Sequence, residues 1–91
     1  MEVLCCAQNQ LTEIDVSHCT NLRVFAPNDN KLSELDLSNN LKLEEIEIQG
    51  NPNLKVVYLK KGQVIPHIIK DDFTEIVYKW TFLLMMISCT Y

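Results

Sequence analysis

An apolar residue recurs at the first, fourth and sixth places of units that begin at Met1, Leu11, Leu22, Leu32, Leu43 and Leu54, so the starts step forward by 10 or 11 along the chain. A repeat of this length constrains the fold more than any other feature, because one unit cannot bury its own apolar side and must stack on the next. The fourth place reads Leu4, Ile14, Phe25, Leu35, Ile46, Val57, and the sixth reads Cys6, Val16, Pro27, Leu37, Ile48, Leu59. Seventeen of these eighteen slots are apolar, against 47% of the whole chain, so the spacing is not a by-product of composition. A second series at the ninth place, Asn9, Cys19, Asn30, Asn40 and Asn51, ending in Gly62, fixes the register independently.

Apolar residues two apart point to the same side of an extended segment, so the fourth and sixth places face inward and the third, fifth and seventh face out. Stacked units then form parallel strands about 4.8 Å apart around a continuous interior. An asparagine at the ninth place turns inward, where its amide satisfies backbone groups of the bend. This makes Asn9, Cys19, Asn30, Asn40 and Asn51 a structural ladder, with Cys19 its weakest member. Pro27 occupies an inward slot without an N–H to donate, which predicts a local break in its strand. Asn51-Pro52-Asn53 predicts a tight turn.

The segments LTEIDVSHCTNLRVFAPNDNKL and LSELDLSNNLKLEEIEIQGNPNL each join two units, and their pattern LxxLxLxxNxLxxLDLSxN resembles the leucine-rich repeats. The likeness is to the short class of about 21 residues, with nested halves of about 10 and about 11. The halves that carry Asp15-Val16-Ser17 and Asp36-Leu37-Ser38 are similar to repeat proteins of gut-type bacteria. The resemblance covers residues 1–62. It implies a mainly β solenoid of about three turns with parallel strands on both faces, extracellular or cell-surface placement, and binding of other proteins.

Ninety-one residues suit one small domain. Residues 1–62 read as repeats, 63–79 as a C-terminal cap, and 80–91 as an apolar tail. Within the cap, IPHIIKDD predicts one short helical turn opened by Pro66, and a final strand is expected near 73–78. The tail, WTFLLMMISCTY, is too short to span a bilayer, which takes about 20 apolar residues. No export signal opens the sequence, and Met1 already fills a first place, so no N-terminal cap is expected. A formal net charge of -4, with no basic cluster beyond Lys60-Lys61, argues against nucleic acid and anionic membranes as partners. Cys5, Cys6, Cys19 and Cys89 have neither disulfide-framework nor zinc spacing.

If two units make one turn, those at 1, 22 and 43 share a face and those at 11, 32 and 54 share the opposite one. The first exposes Val3, Cys5, Val24, Ala26, Asn28, Glu45, Glu47 and Gln49, with Ala7 beside them, and is the candidate partner-binding face. The second offers a rival patch at Tyr58 and Lys60, and two carboxylate rows, Glu13/Glu34 and Asp15/Asp36. Those rows admit a cation site or a landing strip for a basic partner, but no glycine-bearing calcium loop accompanies them, and Asp before Ser also suits a local backbone bond. Asp15, Ser17 and His18 hold the residue types of a hydrolytic triad without the elbow or oxyanion hole that such chemistry needs.

These features lead to a non-catalytic protein–protein interaction module, a piece of a longer receptor-like or adhesin-like surface protein. Its expected partner is a protein, with no cofactor or metal. Self-association through the uncapped N-terminal end or the apolar tail is the further contact left open. Two rivals stay beside this reading: a structural spacer with no ligand, and a calcium-linked carbohydrate binder.

Overall fold

The computed structural model describes residues 2–79. Within them lie seven short strands and no helix: β1 (Val3–Cys5), β2 (Val24–Ala26), β3 (Leu35–Asp36), β4 (Glu45–Glu47), β5 (Val56–Lys60), β6 (His67–Ile69) and β7 (Glu75–Lys79). They form two parallel sheets, β1-β2-β4-β6 and β3-β5-β7. The chain is a parallel β-solenoid of about four turns. Val24 pairs with Val3, Glu45 with Val24 and His67 with Glu45, steps of 21, 21 and 22 along the chain. That is the spacing of two units per turn, with each unit on its own face.

The interior is the apolar series itself. Leu22, Leu32, Leu43 and Leu54 from the first place, with Phe25, Leu35, Ile46 and Val57 from the fourth, are at most 3% exposed. Val16, Leu37, Ile48 and Leu59 from the sixth place complete the core. Each such side chain contributes about 1.5–3 kcal/mol on leaving water. The unit ends close by tight turns in which Leu22, Leu43 and Leu54 donate their N–H to Cys19, Asn40 and Asn51. The last of these is the turn expected at Asn51-Pro52-Asn53.

Pro27 interrupts one sheet for a reason visible bond by bond. In neighbouring turns the sixth-place N–H donates across the ladder, Cys6 to the Ala26 carbonyl at 3.2 Å and Ile48 to that of Ile69 at 2.8 Å. Pro27 has no N–H for the equivalent bond. The pairing of β2 with β4 is accordingly limited to Val24 and Phe25, where β1 with β2 and β4 with β6 each pair three residues.

Two expectations need correction. The sequence pointed to about three turns, but the solenoid continues beyond residue 62. The helical turn expected in IPHIIKDD is strand β6, which adds to the first sheet as β7 adds to the second. Ile65 fills a first place at 6% exposure and Ile68 stands in register with Ile46, so the repeat persists where its other places lose their usual residues. Pro66 is tolerated because it precedes an edge strand. The expected final strand is β7, displaced to 75–79. A cap role for 63–79 remains an expectation, and the apolar tail at 80–91 and Met1 lie outside the described residues.

One bend uses backbone that the sequence did not advertise. Gln8, Asp29 and Gly50, each one turn of the solenoid from the next, all adopt left-handed φ values of 58°, 59° and 77°. A Cβ on Gly50 would stand 2.1 Å from Asp29 Oδ1, whereas one on Gly62, also left-handed at φ 89°, would meet nothing within 4 Å. Gly62→Ala is therefore expected to cost only the left-handed penalty of about 1–2 kcal/mol, and Gly50→Ala more than that. Thermal melting of both variants checks the order. Adding Asp29→Gly to Gly50→Ala should recover the difference, and equal melting points for the two single variants would refute the steric argument.

Candidate functional site

The outward places of the four-stranded sheet build the broadest continuous surface. Val3, Val24, Glu45 and His67 form one row in register, and Cys5 pairs with Ala26 in the next. Glu47 and Ile69 are paired further along the sheet. Asn28 and Gln49 follow their strands at the rim, both partly buried. Exposure decides which of these a partner could touch. Val3 is 57% exposed and Ile69 48%, while Ala26 is 5% exposed and offers little more than its backbone. Cys5 is exposed and Cys6 partly buried, as their alternate directions required. Burial, with the neighbouring Cys5 second, pushes the Cys6 thiol pKa up.

A charged row, Glu2, Arg23 and Glu44, borders this surface at the second place of the units that begin at 1, 22 and 43. Arg23 bonds Glu44 through its Nε and lies 3.5 Å from Glu2 through Nη1, so one guanidinium spans two turns. The hydrogen bond from Arg23 holds the Glu44 carboxyl below the usual range, and Glu44 in turn raises the Arg23 pKa. All three groups are open to solvent, where water and salt screen such pairs. Their effect is to fix the edge of the surface rather than to stabilise the fold.

On the opposite face, Glu13, Asp15, Glu34 and Asp36 line a depression of about 450 Å³ with Thr12 and Ser33. The two aspartates are already employed. Asp15 Oδ1 accepts the Ser17 N–H at 2.9 Å, and Asp36 Oδ1 accepts both the N–H (2.9 Å) and the hydroxyl (2.6 Å) of Ser38. Bonds from Ser17, the hydroxyl ahead of the backbone, lower the Asp15 pKa. Partial burial works against ionisation of Asp36, but Lys79 and then Ser38 outweigh it, and its pKa is lowered too. Lys79 Nζ sits 2.8 Å from Asp36 Oδ2 and 5.4 Å from the centre of the Tyr58 ring. The rival patch of Tyr58 and Lys60 lies beside this contact on β5. Among the described residues, no three His, Cys, Asp or Glu side chains are grouped to hold a metal ion.

The ladder bridges successive turns. Asn30 Nδ2 donates to Cys6 and Pro27, Asn51 to Pro27 and Ile48, and Asn40 to Val16 and Cys19. Asn30 and Asn51 also accept the N–H of Leu11 and Leu32 through Oδ1. Asn9 is exposed and bonds only its own turn. The sequence reading ended this series at Gly62 and missed Gln63, whose Nε2 donates to Leu37 and Asn40 in the slot one place later. It also missed His67 and Ile69 on one face and Val77 and Lys79 on the other. Ile65 and Ile68, spaced as first and fourth places, were the signal that would have found His67 and Ile69.

Comparison with family models, with curated proteins and with solved structures finds no match to this chain. The strand register itself, with partners one full turn of two units apart across the four-stranded sheet, is therefore what defines the architecture.

Proposed function

We propose that the chain is a leucine-rich-repeat module that binds another protein through the outward face of its four-stranded sheet, as part of a bacterial surface or secreted receptor-like or adhesin-like protein. The observation that carries this reading is the continuous strip from exposed Val3 through Val24, Glu45 and Glu47 to Ile69, with apolar groups at both ends and carboxylates between them. Apolar contact area bordered by charge is the usual composition of an interaction surface. An open parallel sheet presents it without enclosing a small molecule, which suits a non-catalytic role. The pairing of two units into each turn and the ninth-place asparagines support the leucine-rich-repeat assignment.

The test uses a displayed random-peptide library selected on the purified chain. Selected peptides should lose binding to a Val24→Glu/Glu47→Lys variant and keep it toward a Glu13→Lys variant on the opposite face. Peptides that ignore the first variant, or lose binding only with the second, would place the interaction elsewhere and overturn the assignment of the face.

A further inference from the structure

The three-stranded face is divided by charge along the solenoid axis. Its first two turns present Glu13 and Asp15, then Glu34 and Asp36. Its third and fourth present Lys60 on β5 and Lys79 on β7, in register with one another, with Lys55 at the border. Tyr58 and Val77 belong to the second half, and Tyr58 adjoins the first, being the registered neighbour of both Asp36 and Val77. Glu75 is the acidic exception in the basic half. The chain already joins the two halves once, where Lys79 reaches back over the Tyr58 ring to Asp36.

From this we infer that the three-stranded face is a self-complementary contact for a second copy of the chain, packed with its turns in reverse order. A two-fold axis lying between the copies along the strand direction keeps each place along the strand and exchanges the first turn with the fourth and the second with the third. Place for place, Glu34 of one copy then faces Val56 of the other, Asp36 faces Tyr58 and Asp15 faces Val77, while Lys55, Lys60 and Lys79 stand one or two places along and meet those carboxylates diagonally. Every contact occurs twice. The same-order arrangement would lay the acidic half on the acidic half, with Asp15 on Asp15 and Asp36 on Asp36, so the charge pattern selects the reversed one. Glu13 faces Glu75 only at the outer edge, where water screens the pair. A second copy is favoured over another partner because the chain carries both complementary halves at the same rise per turn. The rival patch at Tyr58 and Lys60 thereby becomes the centre of a homodimer contact, distinct from the opposite face proposed for other proteins.

The contact is small. Four rungs about 4.8 Å apart, of which the longest, the five-residue strands β5 and β7, run about 17 Å, give a face area well under that of a standard interface. The dimer is thus expected to be weak and sensitive to salt, with saturation approached near about 1 mM. Sedimentation equilibrium of the whole chain should show monomer and dimer at low ionic strength, with association weakened at least about tenfold in about 0.5 M salt. Glu34→Lys and Lys55→Glu, both at exposed positions, should each be monomeric, since each puts like charges diagonally opposite twice. Their equimolar mixture should dimerise again, because the mixed pair restores both contacts. A wild-type chain that stays monomeric at low salt overturns the inference without any variant. So does association that either variant leaves unchanged, or a mixture that remains monomeric.

Discussion

Asn51→Ala is expected to bring the protein close to the limit of folding. The Asn51 side chain is fully buried, donates to the Pro27 and Ile48 carbonyls at 3.2 and 3.0 Å, and accepts the Leu32 N–H at 3.2 Å. Truncation leaves the Ile48 carbonyl and the Leu32 N–H without that partner, each costing about 1–3 kcal/mol, while the Pro27 carbonyl keeps its bond from Asn30. Bonds that share a side chain are not additive, so the expected loss is about 3–5 kcal/mol. A chain of 91 residues has a total stability of only about 5–14 kcal/mol. Two neighbours calibrate the result. Asn40 loses less on truncation because its own Oδ1 has no donor among the described residues. Asn9, exposed and bonded only to Cys6 and Ala7 of its own turn, should change stability by no more than about 0.5 kcal/mol. Urea midpoints rising in the order Asn51, Asn40, Asn9 are the expected outcome. If Asn51→Ala unfolds at the wild-type midpoint, the amide ladder does not hold the turns together.

Phe25→Ala follows at about 3–5 kcal/mol. Phe25 is the largest fully buried side chain, placed in β2 between Leu4 of β1 and Ile46 of β4. Its cost has two parts, the apolar surface no longer withheld from water and the cavity left where stacked neighbours cannot close in. Leu, the residue of the same slot in β3, should be tolerated at about 1 kcal/mol. Denaturant unfolding with an unchanged slope would confirm that both variants act on the folded stack. Equal losses for Ala and Leu would show that this slot is loosely filled.

Much of this architecture was legible because inward places repeat a single chemical requirement. Phe25, Leu35, Ile46 and Val57 differ in shape but each satisfies the same demand, and 17 slots voting together fix a register that no single residue could. Legibility failed where the requirement could be met by other chemistry. Thr74 is 1% exposed although polar, since its hydroxyl donates to the Leu54 carbonyl at 2.7 Å. Gln63 does the work of an asparagine from one place later, its longer side chain making up the offset. Both substitutions hide the fourth turn from an apolar template.

The candidate surface was legible in direction but not in accessibility. Alternation tells that Ala26 points out, yet only the stacked neighbours show that so short a side chain is covered. The paired aspartates illustrate the converse. Their spacing suggested a cation site, while the local bonds from Ser17 and Ser38 show carboxylates engaged in closing their own strand ends.

The interleaved amides also give the molecule a direction of assembly. Asn30 reaches back to Cys6, Asn40 to Val16, Asn51 to Pro27 and Gln63 to Leu37, in each case from a later turn to an earlier one. Each of these carbonyls also accepts a bond from its own turn, Cys6 from Asn9, Val16 from the Cys19 N–H, Pro27 from Asn30 and Leu37 from the Asn40 N–H, so the later turn supplies its second. With the chain made from its amino end, each new coil thus doubles the hold on carbonyls that the coil before it has already bonded once.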